Sequence, residues 1–150
     1  MVPDVATLLL WLFVINLGTA FGAGVYEARV VVPAWKDLPR QSWPNTGVEF
    51  WAYVTTVPLT LLMLANAVAA WLDDGPARPW WLAAAAIAFV ERIATFTYFI
   101  PTMLRLAGSP GLSDGEVRDG LSRWLAVNHG RNLLVLASWM AALVALTRAA

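Results

Sequence analysis

Apolar residues run almost unbroken through four stretches of the chain, with polar residues and prolines gathered between them. Val5 to Tyr26 carries no charge, and neither does Phe50 to Leu72. Trp80 to Leu104 carries only Glu91 and Arg92, side by side at its centre. Trp124 to Leu146 is broken by a single polar group, Asn128-His129-Gly130-Arg131-Asn132. At 1.5 Å rise per residue each stretch can cross the roughly 30 Å hydrocarbon core of a bilayer. The pattern predicts an all-α, integral membrane four-helix bundle of up-down-up-down connectivity. It forms one domain over residues 1–150, with spans near 5–27, 50–72, 80–104 and 124–147. Met1-Val2-Pro3-Asp4 has no basic segment before the first run, which reads as a retained span.

Punctuation between the runs agrees. Pro33, Pro39 and Pro44 are expected to keep the first loop from becoming one long helix. Thr46-Gly47-Val48-Glu49 fits a capping box. Asp73-Asp74-Gly75-Pro76 reads as a turn, and Ser113-Asp114-Gly115-Glu116 as the start of a short helix leading to Trp124. Pro58 and Pro101 fall inside spans, where each frees a carbonyl, near Val54 and Thr97, for neighbouring side chains to satisfy.

A helix turns about 100° per residue, so the polar residues can be assigned to faces. Glu91, Thr95, Tyr98 and Thr102 share one face of the third span, with Arg92 expected to reach along the adjacent groove. Asn16, Thr19, Ala20, Ala23 and Glu27 share a face of the first. Trp124, Asn128, Arg131, Val135 and Ser138 share a face of the fourth, with His129 off it, and Asn66 lies with Thr55 on the second. In an antiparallel bundle Glu27, Tyr98 and Asn128–Asn132 meet in the same half of the membrane. Glu91, Arg92 and Asn16 lie deeper.

Composition narrows the chemistry. Charged residues make up 13% of the chain, against about 25% in soluble domains. Zero formal net charge argues against nucleic-acid binding. With no cysteine there is no thiolate metal site or dithiol relay, and the single histidine excludes a di-iron carboxylate bundle and a two-His facial triad. Any metal would have to sit among Glu27, Glu91 and His129. What remains is acid–base chemistry: a carboxylate as general base, with Arg, Tyr and Asn donors stabilising an oxyanion or enolate. A structural ion-pair network among Glu27, Glu91, Arg92 and Arg131 is the plainer account of the same residues.

The segments Glu91-Arg92-Ile93-Ala94-Thr95-Phe96-Thr97-Tyr98-Phe99-Ile100-Pro101, Trp124-Leu125-Ala126-Val127-Asn128-His129-Gly130-Arg131-Asn132 and Gly22-x-Gly24-x-Tyr26-Glu27 resemble the anthrone oxygenase-like family of small four-helix membrane proteins. The resemblance implies oxidation of an anthrone-like molecule by molecular oxygen, with Glu27, Arg92, Tyr98, Trp124, Asn128 and Arg131 in the pocket. The reading that follows is a membrane oxidase or oxygenase acting on a lipophilic phenolic or polycyclic small molecule. Glu91 serves as base or anchor, with Arg92, Tyr98 and Arg131 as its catalytic partners. Glu27, Asn16, Asn66, Trp124, Asn128, His129 and Asn132 form the substrate-binding set. The cofactor stays open, with none besides molecular oxygen as one option. The alternatives are a non-enzymatic lipid- or quinone-binding protein or accessory subunit, and a small proton-coupled transporter.

Arg29, Lys36, Arg40, Arg105, Arg118 and Arg123 fall in the first and third loops, against Arg78 and Arg148 on the other side. That bias places those loops in the cytoplasm and both termini outside, in a bacterial inner membrane. Trp35, Trp43, Trp51 and Trp124 at one end, and Trp71, Trp80 and Trp81 at the other, are expected to form aromatic belts.

Overall fold

The computed structural model describes residues 4–39, 42–43 and 46–149, the side chains of 46 and 47 excepted. It contains four helices long and apolar enough to cross a membrane: α1 (Val5–Trp35), α2 (Val48–Leu72), α3 (Arg78–Gly108) and α4 (Asp114–Ala149). No strand occurs among the described residues. Even α2, the shortest at 25 residues, is about 38 Å long, more than the hydrocarbon thickness. Their outward faces are apolar: Leu61, Val68, Phe89 and Leu133 are each at least half exposed. In water such surfaces would be an aggregation hazard; as an integral membrane protein the chain meets lipid there.

Paired residues give the helix directions. Leu9 and Asn16 of α1 meet Asn66 and Val54 of α2, so the two run antiparallel. Ala84, Glu91 and Phe99 of α3 meet Ser138, Arg131 and Trp124 of α4. Gly18, Gly24 and Glu27 of α1 meet Trp139, Asn132 and Arg131. Each helix packs on its neighbours in the chain, and α4 closes the ring on α1.

The helices outrun the expected spans. Pro33 does not end α1, which continues to Trp35, and α4 begins at Asp114 rather than at Trp124. The second difference follows from a capping box at Ser113. The Ser113 N–H donates to Glu116 Oε2 at 2.8 Å, and the Glu116 N–H donates to Ser113 Oγ at 3.3 Å, leaving nothing between 114 and 124 to break the helix. The corresponding box at Thr46–Glu49 turns on the Thr46 side chain, outside the described residues, as are Arg40 and Pro44. The turn at Asp73 forms as expected, with the Gly75 N–H on Asp73 Oδ2 at 3.2 Å.

Pro33 is accommodated by a device that recurs at Pro58 and Pro101. Each proline follows, after one residue, a π-helical segment: Glu27–Val31, Trp51–Thr56 and Thr95–Phe99. The intervening residue donates five residues back, Val32 to Glu27, Val57 to Ala52 and Ile100 to Thr95. A proline ring in an α-helix collides with the carbonyl four residues before it, and the wider turn moves that carbonyl aside. The Val54 carbonyl, freed by Pro58, accepts from Asn16 Nδ2 at 2.9 Å. The α4 helix has no proline and no such turn.

Two layers fill the interior. The larger is mostly aliphatic, built on Leu10, Leu17, Leu59, Met63, Ala88 and Ala142 around Phe13. The smaller is aromatic, built on Val32, Phe99, Leu121 and Trp124. Gly18 lets the Trp139 ring approach within the bundle, where an added Cβ would lie 2.9 Å from it. Trp81 and Trp124 are core residues, 2% and 3% exposed, rather than members of a belt. Trp71 and Trp80 are exposed.

Candidate functional site

Between the two layers lies a polar centre to which all four helices contribute. Glu91, 1% exposed on α3, has both oxygens engaged. Arg92 Nε donates to Oε2 at 2.6 Å with Nη2 at the same distance, and Thr95 Oγ donates to Oε1 at 2.8 Å. Arg92 therefore folds back onto its neighbour instead of following an adjacent groove. Its long side chain spans the 100° between the two positions, and a buried charge without a partner is far costlier than that detour.

Arg131 enters from α4. Its Nη2 is 3.9 Å from Glu27 Oε2 and its Nε 3.9 Å from Glu91 Oε1, charge contacts too long to be hydrogen bonds. The guanidinium lies over two rings, with Cζ 4.9 Å from the Phe99 centroid and 5.6 Å from that of Trp51. Trp51 also approaches the Glu27 carboxylate from α2. Only 10% of the Arg131 side chain is exposed, yet among the described residues it donates no hydrogen bond and its Nε is buried without an acceptor.

Neighbouring groups are equally unspent. Asn128 is fully buried, and among the described residues neither amide atom has a partner. Arg92 Nη1 and Asn132 Oδ1 are buried without partners as well. Asn132 fits because α1 presents Gly24, where a Cβ would come within 2.5 Å of Oδ1. Asn16 is half spent, since Nδ2 is used and Oδ1 is not. Buried polar atoms nearly always find partners, so Asn128, Arg131 and Asn132, spaced by about one turn along α4, leave donors and acceptors that a ligand could use.

Asn66 is the contrast. Its Nδ2 donates to the Leu9 and Leu62 carbonyls at 3.1 and 2.8 Å, and its Oδ1 accepts from Trp81 Nε1 at 2.8 Å. It ties α1, α2 and α3 together inside the aliphatic layer, away from Arg131. His129 is exposed, and among the described residues no three His, Asp or Glu side chains are placed to hold a metal, Glu27, Glu91 and His129 included. Tyr98 is half-buried, edge-on to Phe99 at 5.1 Å. Trp124 is fixed by its Nε1 on the Phe99 carbonyl at 3.2 Å, and the two rings meet edge to face at 5.7 Å. Together they close the polar centre on the loop side.

The π turns carry the site: Glu27, Trp51 and Thr95 each open one, and Phe99 closes one. Trp51 and Phe99 are the residues that face periodicity misses, because a π turn shifts the register by one residue. The signal available in sequence is the proline six or seven positions after Glu27, Trp51 and Thr95. Pro58→Ala restores a backbone donor for Val54, so α2 is expected to straighten with thermal stability kept or slightly raised. Trp51 would then leave Arg131, which a shift in its fluorescence would report. An unchanged Trp51 environment in a straightened variant would deny Pro58 any positioning role.

The chain matches no protein-family model, no curated protein and no solved structure.

Proposed function

We propose that this chain is a membrane-embedded oxidase or oxygenase that uses molecular oxygen on a lipophilic phenolic or polycyclic molecule. The observation that supports it is the Arg131 guanidinium, nine-tenths buried and, among the described residues, without a hydrogen bond, one helical turn from an Asn128 amide whose two ends are unpartnered there. An enolate or phenolate oxygen matches those donors in charge and in hydrogen-bonding capacity. Glu91 is fully occupied by Arg92 and Thr95, so it acts as the anchor that orients the arginines. Glu27 is the base: its side chain is 13% exposed and its nearest cation is 3.9 Å away.

Glu27 takes one proton from an activated methylene, and Arg131 holds the enolate oxygen. The electron-rich carbon reduces and bonds oxygen, and the peroxide formed takes the proton back from Glu27. It then loses water with the remaining hydrogen. The sum is CH2 + O2 → C=O + H2O. The first and third loops face the cytoplasm of a bacterial inner membrane, both termini lie outside, and the site sits in the cytoplasmic half.

A second reading, binding of a lipid or quinone without turnover, draws on the same orphaned donors. Oxygen uptake by the purified protein in nanodiscs on adding an anthrone separates the two. One oxygen consumed per quinone formed is expected; no uptake above the protein-free rate, with a quinone co-purifying, would leave only binding.

A further inference from the structure

A cavity of about 400 Å³ opens at the loop end of the bundle, between the end of α1 and the start of α4. Its volume falls within the roughly 300–1,000 Å³ of small-molecule sites. The aromatic layer of Phe99 and Trp124 lies between it and Arg131, so it is a separate compartment from the polar centre.

One wall is a tryptophan pair. Trp35 and Trp43 stack at 5.1 Å with 20° between planes, and Trp43 Nε1 donates to the Trp35 carbonyl at 3.2 Å, holding the wall in place. Among the described residues four charges surround the opening: Lys36 and Asp37 just past the end of α1, Asp114 and Arg118 from the first two turns of α4. Each side thus offers one acid and one base. Among the described residues none of the four forms an ion pair, although salt bridges form elsewhere in the chain. Val117 and Leu121 supply a buried apolar floor.

We propose that this cavity binds a zwitterionic phosphate–ammonium headgroup, supplied by a phospholipid of the surrounding bilayer. Lys36 and Arg118 would take the phosphate. Asp37 and Asp114 would take the ammonium, with the tryptophan faces adding cation–π attraction. A purely anionic headgroup meets two carboxylates and a purely cationic one two bases, so the balanced lining selects the zwitterion. Tryptophan and charged side chains at helix ends belong at the headgroup level, where such a ligand is already present.

The test uses the full chain in detergent, with dioleoyl phosphatidylethanolamine, dioleoyl phosphatidylglycerol and free phosphoethanolamine as probes, read by native mass spectrometry and by Tm. Phosphatidylethanolamine should be retained about tenfold better than phosphatidylglycerol, and the double variant Lys36→Glu/Arg118→Glu should lose that retention by a similar factor. Its lipid-free Tm should stay near wild type, because neither side chain is buried or paired. Equal retention of the two lipids, or equal retention by wild type and the double variant, would overturn the proposal. Stabilisation by free phosphoethanolamine to the same extent as by lipid would assign the site to a soluble zwitterion; no effect of the free headgroup assigns it to the lipid.

Discussion

Arg131→Gln is expected to abolish oxygen uptake with an anthrone while leaving a folded four-helix protein. Removing one preorganised donor from a developing oxyanion costs typically a hundred- to a thousandfold in kcat, about 2.7–4 kcal/mol of barrier. Among the described residues the donor is also the only cation paired with Glu27. Breaking a buried ion pair can cost about 3–5 kcal/mol of stability. The loss should fall below that range, because both contacts of Arg131 are 3.9 Å long and Glu91 keeps Arg92. Arg131→Lys sharpens the test. It keeps the charge near both carboxylates but loses Nε and the flat surface lying over Phe99 and Trp51. A lysine variant with near-normal Tm and severely reduced kcat locates the function in the guanidinium. Wild-type kcat in that variant would reduce Arg131 to a structural charge, and the oxidase reading would lose the observation it rests on.

How far the sequence carries depends on which force sets each feature. Four spans were legible because apolar length is decided by the bilayer and hardly by tertiary detail. The approach of Glu27 to Arg131 was legible for a related reason, while Glu91, expected deeper, lies within the same 3.9 Å of Arg131. Polar residues within an apolar helix must face inward, and antiparallel packing then brings the matching ends together. His129, off the common face by periodicity, is indeed exposed.

The features that were not legible are those periodicity cannot express. A π turn changes the register midway, so Trp51 reads as an interface residue when it faces Arg131. The direction of Arg92 depends on a flexible side chain finding a charge, which a Cα-based face ignores. Asn66 and Asn128 look alike as letters, yet one meets two carbonyls and an indole while the other finds no hydrogen-bond partner among the described residues. Only the three-dimensional placement of backbone carbonyls separates a structural asparagine from one held open. The early start of α4 had its signal in Ser113 and Glu116, whose capping box opens one continuous helix instead of a short separate one.

The two carboxylates should separate cleanly when each is changed to its amide. Glu91→Gln keeps shape but removes the counter-charge from Arg92, whose side chain is 8% exposed and already has an unpartnered Nη1. A broken buried pair costs about 3–5 kcal/mol, or roughly 6–20 °C in Tm at about 2–4 °C per kcal/mol. Whatever fraction stays folded should retain part of its turnover, since Glu91 carries no proton in the mechanism. Glu27→Gln should do the reverse. Its carboxylate has one cation at 3.9 Å, and Arg131 keeps Glu91 when that contact is lost, so Tm moves little. Loss of a positioned general base lowers kcat by about 10²–10⁴, with KM largely kept because the amide still fills the same space. Full turnover in Glu27→Gln would remove it as the base. A stable but inactive Glu91→Gln would return that role to Glu91 and make the tight Arg92 contact a resting state that the substrate must displace.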